Sequence, residues 1–199
     1  EATKLIEYWM GADKVYEAEF EFGKVSDTYD REGKIEVKDE AAARRVTREE
    51  VEQALHGFVG EIEQVPPAFS AVKVKGERAY ALARRGEKVE LKARKVMVHS
   101  INIQGFHEAT EGGHTGEGRG HPPGRGRGPM LMLKVHCGSG TYLRSLAHDL
   151  GEKLGCGALM SDLVRTAVGP FTLSQVIALP KNAAEASAAR LLVEVGERR

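Results

Sequence analysis

Tyr142 and Arg144 flank the start of an apolar helical pattern, a position from which both side chains could take part in chemistry. The segment GTYLRSLAHDLGEKLG carries leucines at helical spacing and ends on a stop signal at Gly155. Because a helix N-terminus carries partial positive charge, an arginine in the first turn is favourable only beside an anion. Two alternatives follow for Arg144: contact with a carboxylate or a ligand phosphate, or simple solvation at the surface.

A predicted strand leads into this helix. Residues 129–137, PMLMLKVHC, alternate in a way that is typical of a half-buried strand. The apolar side of this strand carries Leu131, Leu133, Val135 and Cys137. Ser139 or Thr141 could cap the helix that follows.

Tyr16 is a second residue of interest. It lies in VYEAEFEF, residues 15–22, which predicts a strand with glutamates on one face. The opposite face carries Tyr16, Ala18, Phe20 and Phe22. The pattern alone favours a core position for Tyr16 over a functional one. The polar segment SDTYDREGK follows, in which Asp30 and Gly33 indicate a turn or a hairpin.

The remaining segments predict further helices and strands. A short helix over 2–10 would turn Trp9 inward, and Thr47 with Glu50 forms a capping box that begins another helix. Helices are also expected over 77–86 and from Asn182 onward, and strands over 61–65, 69–76, 89–106 and the start of 169–179. The alternation of 89–106 slips near His99, which indicates a bulge. Since strands and helices mix without regular βαβ alternation, we predict an α+β fold with a mixed, mostly antiparallel sheet flanked by helices.

Composition limits the classes of function. The chain has 199 residues, enough for one ordinary domain, and 29 basic residues balance 29 acidic ones. Zero net charge argues weakly against nucleic-acid binding, although a basic face can exist within a balanced total. Cys137 and Cys156 are too far apart in sequence to form a typical metal-binding pair, so we expect reduced thiols. No apolar run is long enough to cross a membrane, and we expect a cytoplasmic protein.

Residues 107–129 differ in composition from the rest of the chain. They are rich in glycine, histidine and arginine and almost free of apolar side chains, which predicts a flexible loop between two strands. His107, His114 and His121 could bind a metal, but the loop supplies no rigid scaffold for them. We therefore predict no metal site.

Common catalytic motifs are missing from the sequence. It has no glycine-rich phosphate loop, no HExxH or CxxC pair and no serine nucleophile elbow. What remains is Arg144 at a helix start, tyrosines near strands, and the basic cluster of Lys73, Lys75, Arg78, Arg84 and Arg85. The basic cluster is either a solvated face or a strip that contacts phosphates. This set suits an anionic ligand with a planar ring, for example a flipped nucleotide.

Five segments carry a family resemblance, in this order: EATKLIEY at the start, DKVYEAEFEFGKVSDTYDREG, GEIEQVPPAFSAVKVKGERAYALARRGE, CGSGTYLRSLAHDLGEKLGCGALMSDLVRTAVGPF and LSQVIAL. They resemble the TruB family of tRNA pseudouridine synthases. The resemblance implies a pseudouridine synthase fold and isomerisation of the uridine at position 55 in the tRNA T loop, without metal or organic cofactor. It also implies the T arm as partner, no membrane association and a monomer.

The resemblance assigns roles residue by residue. Tyr16 matches a tyrosine that packs on the target base and is implicated in the proton step at C5, and Tyr142 matches a second active-site tyrosine. Arg144 matches the arginine that pairs with the catalytic aspartate. Leu163 matches an apolar wall of the base pocket, and Lys73 with its basic neighbours would hold the T-arm backbone.

The family's catalytic aspartate lies in a GxLDxxAxG stretch upstream of the segment matched by EATK, and none of this chain's aspartates has that setting. We therefore expect the polypeptide as given to be inactive and the intact gene product to be the enzyme, with the anion for Arg144 supplied from upstream. We expect 1–180 to form the catalytic domain without its nucleophile segment and 181–199 to form a helical tail. The alternative is a non-catalytic tRNA binder or RNA-folding chaperone on the same fold.

Overall fold

The computed structural model describes residues 6–74, 76–109 and 128–175. The predicted helical tail over 181–199 and most of the predicted loop over 107–129 lie outside these ranges. His107 itself ends a strand, so the loop begins after it. No helix in the described part of the chain is long and apolar enough to span a membrane.

A six-stranded sheet, antiparallel throughout, forms the centre of the molecule, which confirms the predicted α+β class. Its strands follow the order β10-β9-β1-β8-β7-β4. The bounds of all described strands are β1 Lys14–Phe22, β2 Lys24–Ser26, β3 Ile35–Val37, β4 Gly60–Gln64, β5 Lys73–Val74, β6 Glu77–Arg78, β7 Arg94–His107, β8 Met130–Cys137, β9 Ala158–Val168 and β10 Phe171–Thr172. Strands β2 with β3 and β5 with β6 form two small separate hairpin sheets. The described α-helices are α1 Ile6–Trp9, α2 Glu40–Ala43, α3 Arg48–Leu55, α4 Ala79–Arg84 and α5 Leu143–Lys153.

The core lies between one face of this sheet and helix α5. The alternation predicted for β1 and β8 is confirmed, because Phe20 on β1 and Leu133 on β8 are fully buried. Leu146 and Leu150 of α5 pack into the same cluster. Burying one side chain of this size stabilises the fold by about 1.5–3 kcal/mol, so the sheet and α5 hold each other in a fixed relation.

Two local predictions are confirmed. The register of β7 with β8 slips between Val98 and Ser100, so His99 is the extra residue of a β-bulge. The Thr47 side chain accepts from the Glu50 amide and the Glu50 carboxylate accepts from the Thr47 amide, which is a complete capping box.

Other local predictions were wrong or incomplete. No strand was predicted over β9, yet it pairs with β1 along most of that strand. Its first three residues are buried in succession, so it lacks the period-two pattern by which strands are recognised. The strand predicted over 69–76 shrinks to β5, and Trp9 lies partly exposed against the edge of Phe171 instead of in the core.

Candidate active site

Helix α5 begins at an unusual cap. Tyr142 is its N-cap residue and makes no side-chain capping bond, so the predicted capping by Ser139 or Thr141 was wrong. The cap is supplied instead by Gln64, at the end of β4. The Tyr142 amide donates to Gln64 Oε1 at 2.7 Å, and Gln64 Nε2 donates to the Tyr142 carbonyl at 3.0 Å. Since Gln64 is only 2% exposed, this pair of hydrogen bonds fixes where α5 starts and hence where its first side chains project.

Arg144, in the first turn of α5, is held by three acceptors. Its Nη1 donates to Asp30 Oδ2 at 3.0 Å and to the Thr28 carbonyl at 3.2 Å, and its Nη2 donates to the Phe69 carbonyl at 2.8 Å. The predicted contact with an anion therefore exists. Asp30 provides this carboxylate from within the chain. The further carboxylate that the family resemblance assigns to an aspartate upstream of the chain stays a prediction.

The turn that carries Asp30 is built to aim this carboxylate. Thr28 Oγ1 and the Glu32 amide both donate to Asp30 Oδ1, at 2.6 and 2.9 Å, which leaves Oδ2 directed at Arg144. Tyr29 adopts a left-handed conformation, with φ of 62°, that lets the chain reverse between Thr28 and Asp30. Its ring stacks on His148 of α5, with centroids 4.0 Å apart and the planes 6° from parallel. The turn is thus packed against the helix that carries Arg144.

A cavity of about 810 Å³ opens beside the Arg144–Asp30 pair. Its aromatic lining consists of Phe69, Tyr80 and Tyr142. Its charged lining consists of Asp30, Glu32, Arg84 and Arg144. The Arg84 guanidinium lies 5.5 Å from the centre of the Tyr80 ring, a cation–π contact. The volume falls within the range of sites that hold small organic ligands, and the aromatic walls suit a planar base.

Tyr16 and Leu163 lie elsewhere, on the sheet, and are absent from the cavity lining. Tyr16 on β1 opposes Arg165 of β9 and shares the core face with Ala18, its neighbour two residues on. Leu163 opposes Ala18, so it lies on the same face, since directly paired residues project to one side. Burial raises the pKa of the Tyr16 phenol, Cys137 adds to the rise, and Arg165 opposes it. The phenol is therefore protonated near neutral pH.

The cavity thus brings together two of the five predicted site residues, Tyr142 and Arg144. Lys73 lies exposed on β5, in the hairpin that precedes α4. Asp30 and Gln64 were missed by reasoning from sequence. Both act through partners 78 or more residues away, and local periodicity contains no information about such contacts.

Comparison with solved structures defines the class to which this fold belongs. The chain superimposes on a chain from a crystal structure of a Cbf5–Nop10–Gar1 complex with a TM-score of 0.52 and 27% identity, over 86% of this chain and 35% of that one. The fold is therefore that of the pseudouridine synthases.

Sequence comparison narrows the class to one family. Residues 1–143 match the model of the TruB family pseudouridylate synthase N-terminal domain, and residues 144–189 match that of the tRNA pseudouridylate synthase B C-terminal domain. The chain belongs to the TruB family of pseudouridylate synthases. The boundary between the two matches falls within the first turn of α5, and because β9 pairs with β1, both matched parts build one sheet.

Curated relatives are similar over most of this chain. The tRNA pseudouridine synthase B of Dehalococcoides mccartyi (strain ATCC BAA-2266 / KCTC 15142 / 195) is 43% identical over 173 residues, which are 87% of this chain and 50% of the relative. That of Symbiobacterium thermophilum is 46% identical over 191 residues, 96% of this chain and 57% of the relative. The chain therefore spans about half the length of these relatives.

Proposed function

We propose that the protein to which this chain contributes isomerises uridine to pseudouridine in tRNA, at position 55 of the T loop, as a cytoplasmic monomer. The observation that carries the proposal is the Arg144–Asp30 pair at the edge of an aromatic cavity on a pseudouridine synthase fold. The relatives named tRNA pseudouridine synthase B support tRNA as the substrate class. The reaction conserves the atoms of the base: the glycosidic C–N bond breaks, the base turns, and a C–C bond forms as C5 loses a proton and N1 gains one.

Arg144 would orient the reacting carboxylate. A guanidinium has five N–H donors, and the three bonds described above use only part of this set. Asp30 and two carbonyls fix the plane of the guanidinium, so a second carboxylate meets donors that are already aligned. The family resemblance assigns that second carboxylate to the aspartate of the GxLDxxAxG stretch.

The aromatic and apolar side chains would receive the base. Taking a base out of its stack costs a few kcal/mol, which contacts with aromatic and apolar walls must offset. Tyr142 lines the cavity, and the family resemblance assigns an apolar wall of the base pocket to Leu163 on the sheet. Tyr16 carries its proton near neutral pH, so it can donate a hydrogen bond to the base or pass a proton at C5. Lys73, exposed on its hairpin, would contact the T-arm phosphates.

The test measures tritium release from a T-arm stem-loop labelled at C5 of its uridines, using the intact gene product. We expect Arg144→Ala to lower turnover at least about 100-fold, because the lost donors orient the reacting carboxylate, while RNA affinity falls less than about tenfold. Arg94→Ala, which removes an exposed arginine from the start of β7, is the matched control and should change neither quantity.

Two outcomes would contradict parts of the proposal. An equal loss of turnover and of RNA affinity would make Arg144 a phosphate contact. Tight RNA binding without any tritium release by the intact gene product would favour the chaperone. If Arg144→Ala does not fold, Arg144→Lys keeps the charge but loses the fork of donors, and we expect the same loss of turnover.

A further inference from the structure

A second group of chemically active side chains lies on the other face of the sheet. Asp13, His99 and His136 bring one carboxylate and two imidazoles together, with their ligand atoms all within 4.8 Å of one another. His136 lies between Val135 and Cys137, which are buried in the core, so its ring projects from the opposite face, away from α5. The group is therefore separate from the Arg144 cavity.

The β-bulge of β7 creates this group. His99 is the inserted residue, and Ser100 instead of His99 opposes His136 in the register. The insertion brings the two imidazole rings side by side, with centroids 4.6 Å apart and a tilt of 42°. Asp13 immediately precedes β1, whose first residue pairs with the last residue of β8. Three segments that are distant in sequence thus converge through strand pairing and the bulge.

The donor atoms have the spacing of metal ligands. Asp13 Oδ2 lies 3.1 Å from His99 Nε2 and 3.8 Å from His136 Nε2. A tetrahedral zinc ion with bonds of about 2.0–2.2 Å separates its ligand atoms by about 3.3–3.6 Å. The two observed distances bracket this value, and the three ligand atoms all lie within 4.8 Å of one another, so a modest rearrangement of the side chains would place all three donors around one ion.

We propose that Asp13, His99 and His136 form a binding site for a divalent transition-metal ion, with Zn²⁺ as its preferred occupant. Two imidazole nitrogens and one carboxylate oxygen suit Zn²⁺ and other late first-row ions, whereas Mg²⁺ and Ca²⁺ prefer oxygen ligands. The three side chains are 37–47% exposed, so an ion can reach them from solvent and keep water in its fourth position. The neighbouring cation Lys14 donates to the carbonyls of Met10 and Ala12 at 2.8 and 2.6 Å, so its ammonium is occupied by backbone acceptors.

The bound ion would cross-link the start of β1 to β7 and β8. An ion that binds only the folded chain stabilises it, and the midpoint of thermal unfolding should rise with Zn²⁺ concentration. The competing explanation is a carboxylate that merely lies beside two imidazoles without binding an ion. That cluster would need no metal, and Zn²⁺ would not raise the unfolding midpoint.

The test is calorimetric titration of the 199-residue chain with Zn²⁺ alone, together with thermal unfolding. All proteins carry His114→Asn and His121→Asn, because these two histidines could bind Zn²⁺ independently. We expect one Zn²⁺ per chain. His99→Asn or His136→Asn should weaken the Zn²⁺ affinity at least about 100-fold. Loss of a residue that only supports a metal ligand costs about 10–100-fold in affinity, and loss of a direct ligand should cost more. His56→Asn, which alters an exposed histidine after α3, should leave the affinity unchanged.

Unchanged Zn²⁺ affinity in both ligand variants, or an equal loss in His56→Asn, would overturn the proposal. Absence of Zn²⁺ binding by the background protein would overturn it as well. Because the two imidazoles are partly exposed, their replacement should leave the far-ultraviolet circular dichroism spectrum unchanged. If one histidine variant does not fold, Asp13→Asn removes the third ligand from a turn outside the core and must weaken Zn²⁺ binding in the same way.

Discussion

The buried amide of Gln64 offers a sharp test of how the start of α5 is held. Gln64 and Tyr142 exchange two hydrogen bonds, one from the Tyr142 amide to Gln64 Oε1 and one from Gln64 Nε2 to the Tyr142 carbonyl. That carbonyl also accepts from the Leu146 amide at 3.1 Å, the first bond of the helix. Replacing Gln64 by glutamate keeps the shape and the acceptor but removes the donor, and it brings a negative charge into a site that is almost closed to water.

The expected cost depends on pH in a defined direction. Burial and the facing Tyr142 carbonyl both disfavour the carboxylate that Gln64→Glu introduces, so its folded-state pKa lies above the unfolded value of about 4.3. The protonated acid donates as the amide does, and near pH 4 the variant should be within about 1 kcal/mol of wild type. As the pH rises through the pKa that the introduced carboxyl has in the unfolded chain, this carboxyl ionises in the unfolded chain before it does so in the folded one. The unfolded chain is thereby stabilised relative to the folded one. At neutral pH the deficit should reach about 2–4 kcal/mol, which corresponds to a shift of about one and a half to three pKa units.

Urea unfolding followed by circular dichroism, at several pH values, measures this deficit against wild type. With a slope of about 2 kcal/mol per molar urea, the midpoint at neutral pH should fall by about 1–2 M. Gln104→Glu, on an exposed site of β7, is the matched control and should show no such dependence on pH. A deficit of the same size at every pH, or none at neutral pH, would refute the assignment of the Gln64 amide as both donor and acceptor.

Three further predictions concern other parts of the fold. Burial raises the pKa of Glu21, but the contacts with Lys24 and Arg31 outweigh this effect, and the net pKa is lowered. The stability that these contacts give is therefore lost as the pH falls below about 4.3. In acid unfolding experiments, acidification should destabilise wild type more than Glu21→Gln. Tyr29→Gly should be about 1 kcal/mol more stable in urea unfolding than Tyr29→Ala. Both variants lose the ring, but only alanine has a Cβ atom that disfavours the left-handed backbone conformation. The reverse order of stability would contradict this prediction. Thr47→Ala should cost about 1 kcal/mol in urea unfolding through loss of the capping box, and Thr47→Ser should retain most of it.

Local patterns predicted the elements whose boundaries depend on neighbouring residues. The alternation of β1 and β8, the stop of α5 at Gly155 and the capping box at Thr47 arise from side chains within a few positions of one another. The bulge at His99 was also visible, because an inserted residue breaks the alternation at that point. Strand β9 was missed because its buried residues come in succession, and only its pairing with β1 identifies it as a strand.

The candidate site was predicted only in part, because its residues meet through tertiary contacts. The need of Arg144 for an anion could be inferred from its place at a helix start, but the choice of Asp30 depends on a turn 114 residues away. In the sequence, Gln64 is an ordinary polar residue near a strand end, and only the folded structure shows its hydrogen bond with Tyr142. The roles of Tyr16, Leu163 and Lys73 remain predictions from the family resemblance. The tritium-release assay described for Arg144 can test a variant of each of these residues in the same way.

The charge balance of the cavity indicates what it can accept. Among its described lining residues, Arg84 and Arg144 balance Asp30 and Glu32, and the start of α5 adds about half a positive charge. Such a surface favours a neutral base together with one further carboxylate, because the residual positive potential can be neutralised by a single anion. It does not favour several phosphates, which need an excess of cations. If the protein binds tRNA as proposed, we expect its contacts to the RNA backbone to lie outside this cavity. Substitution of Lys73, on its exposed hairpin, should then weaken RNA affinity and its salt dependence while turnover of bound RNA is unchanged.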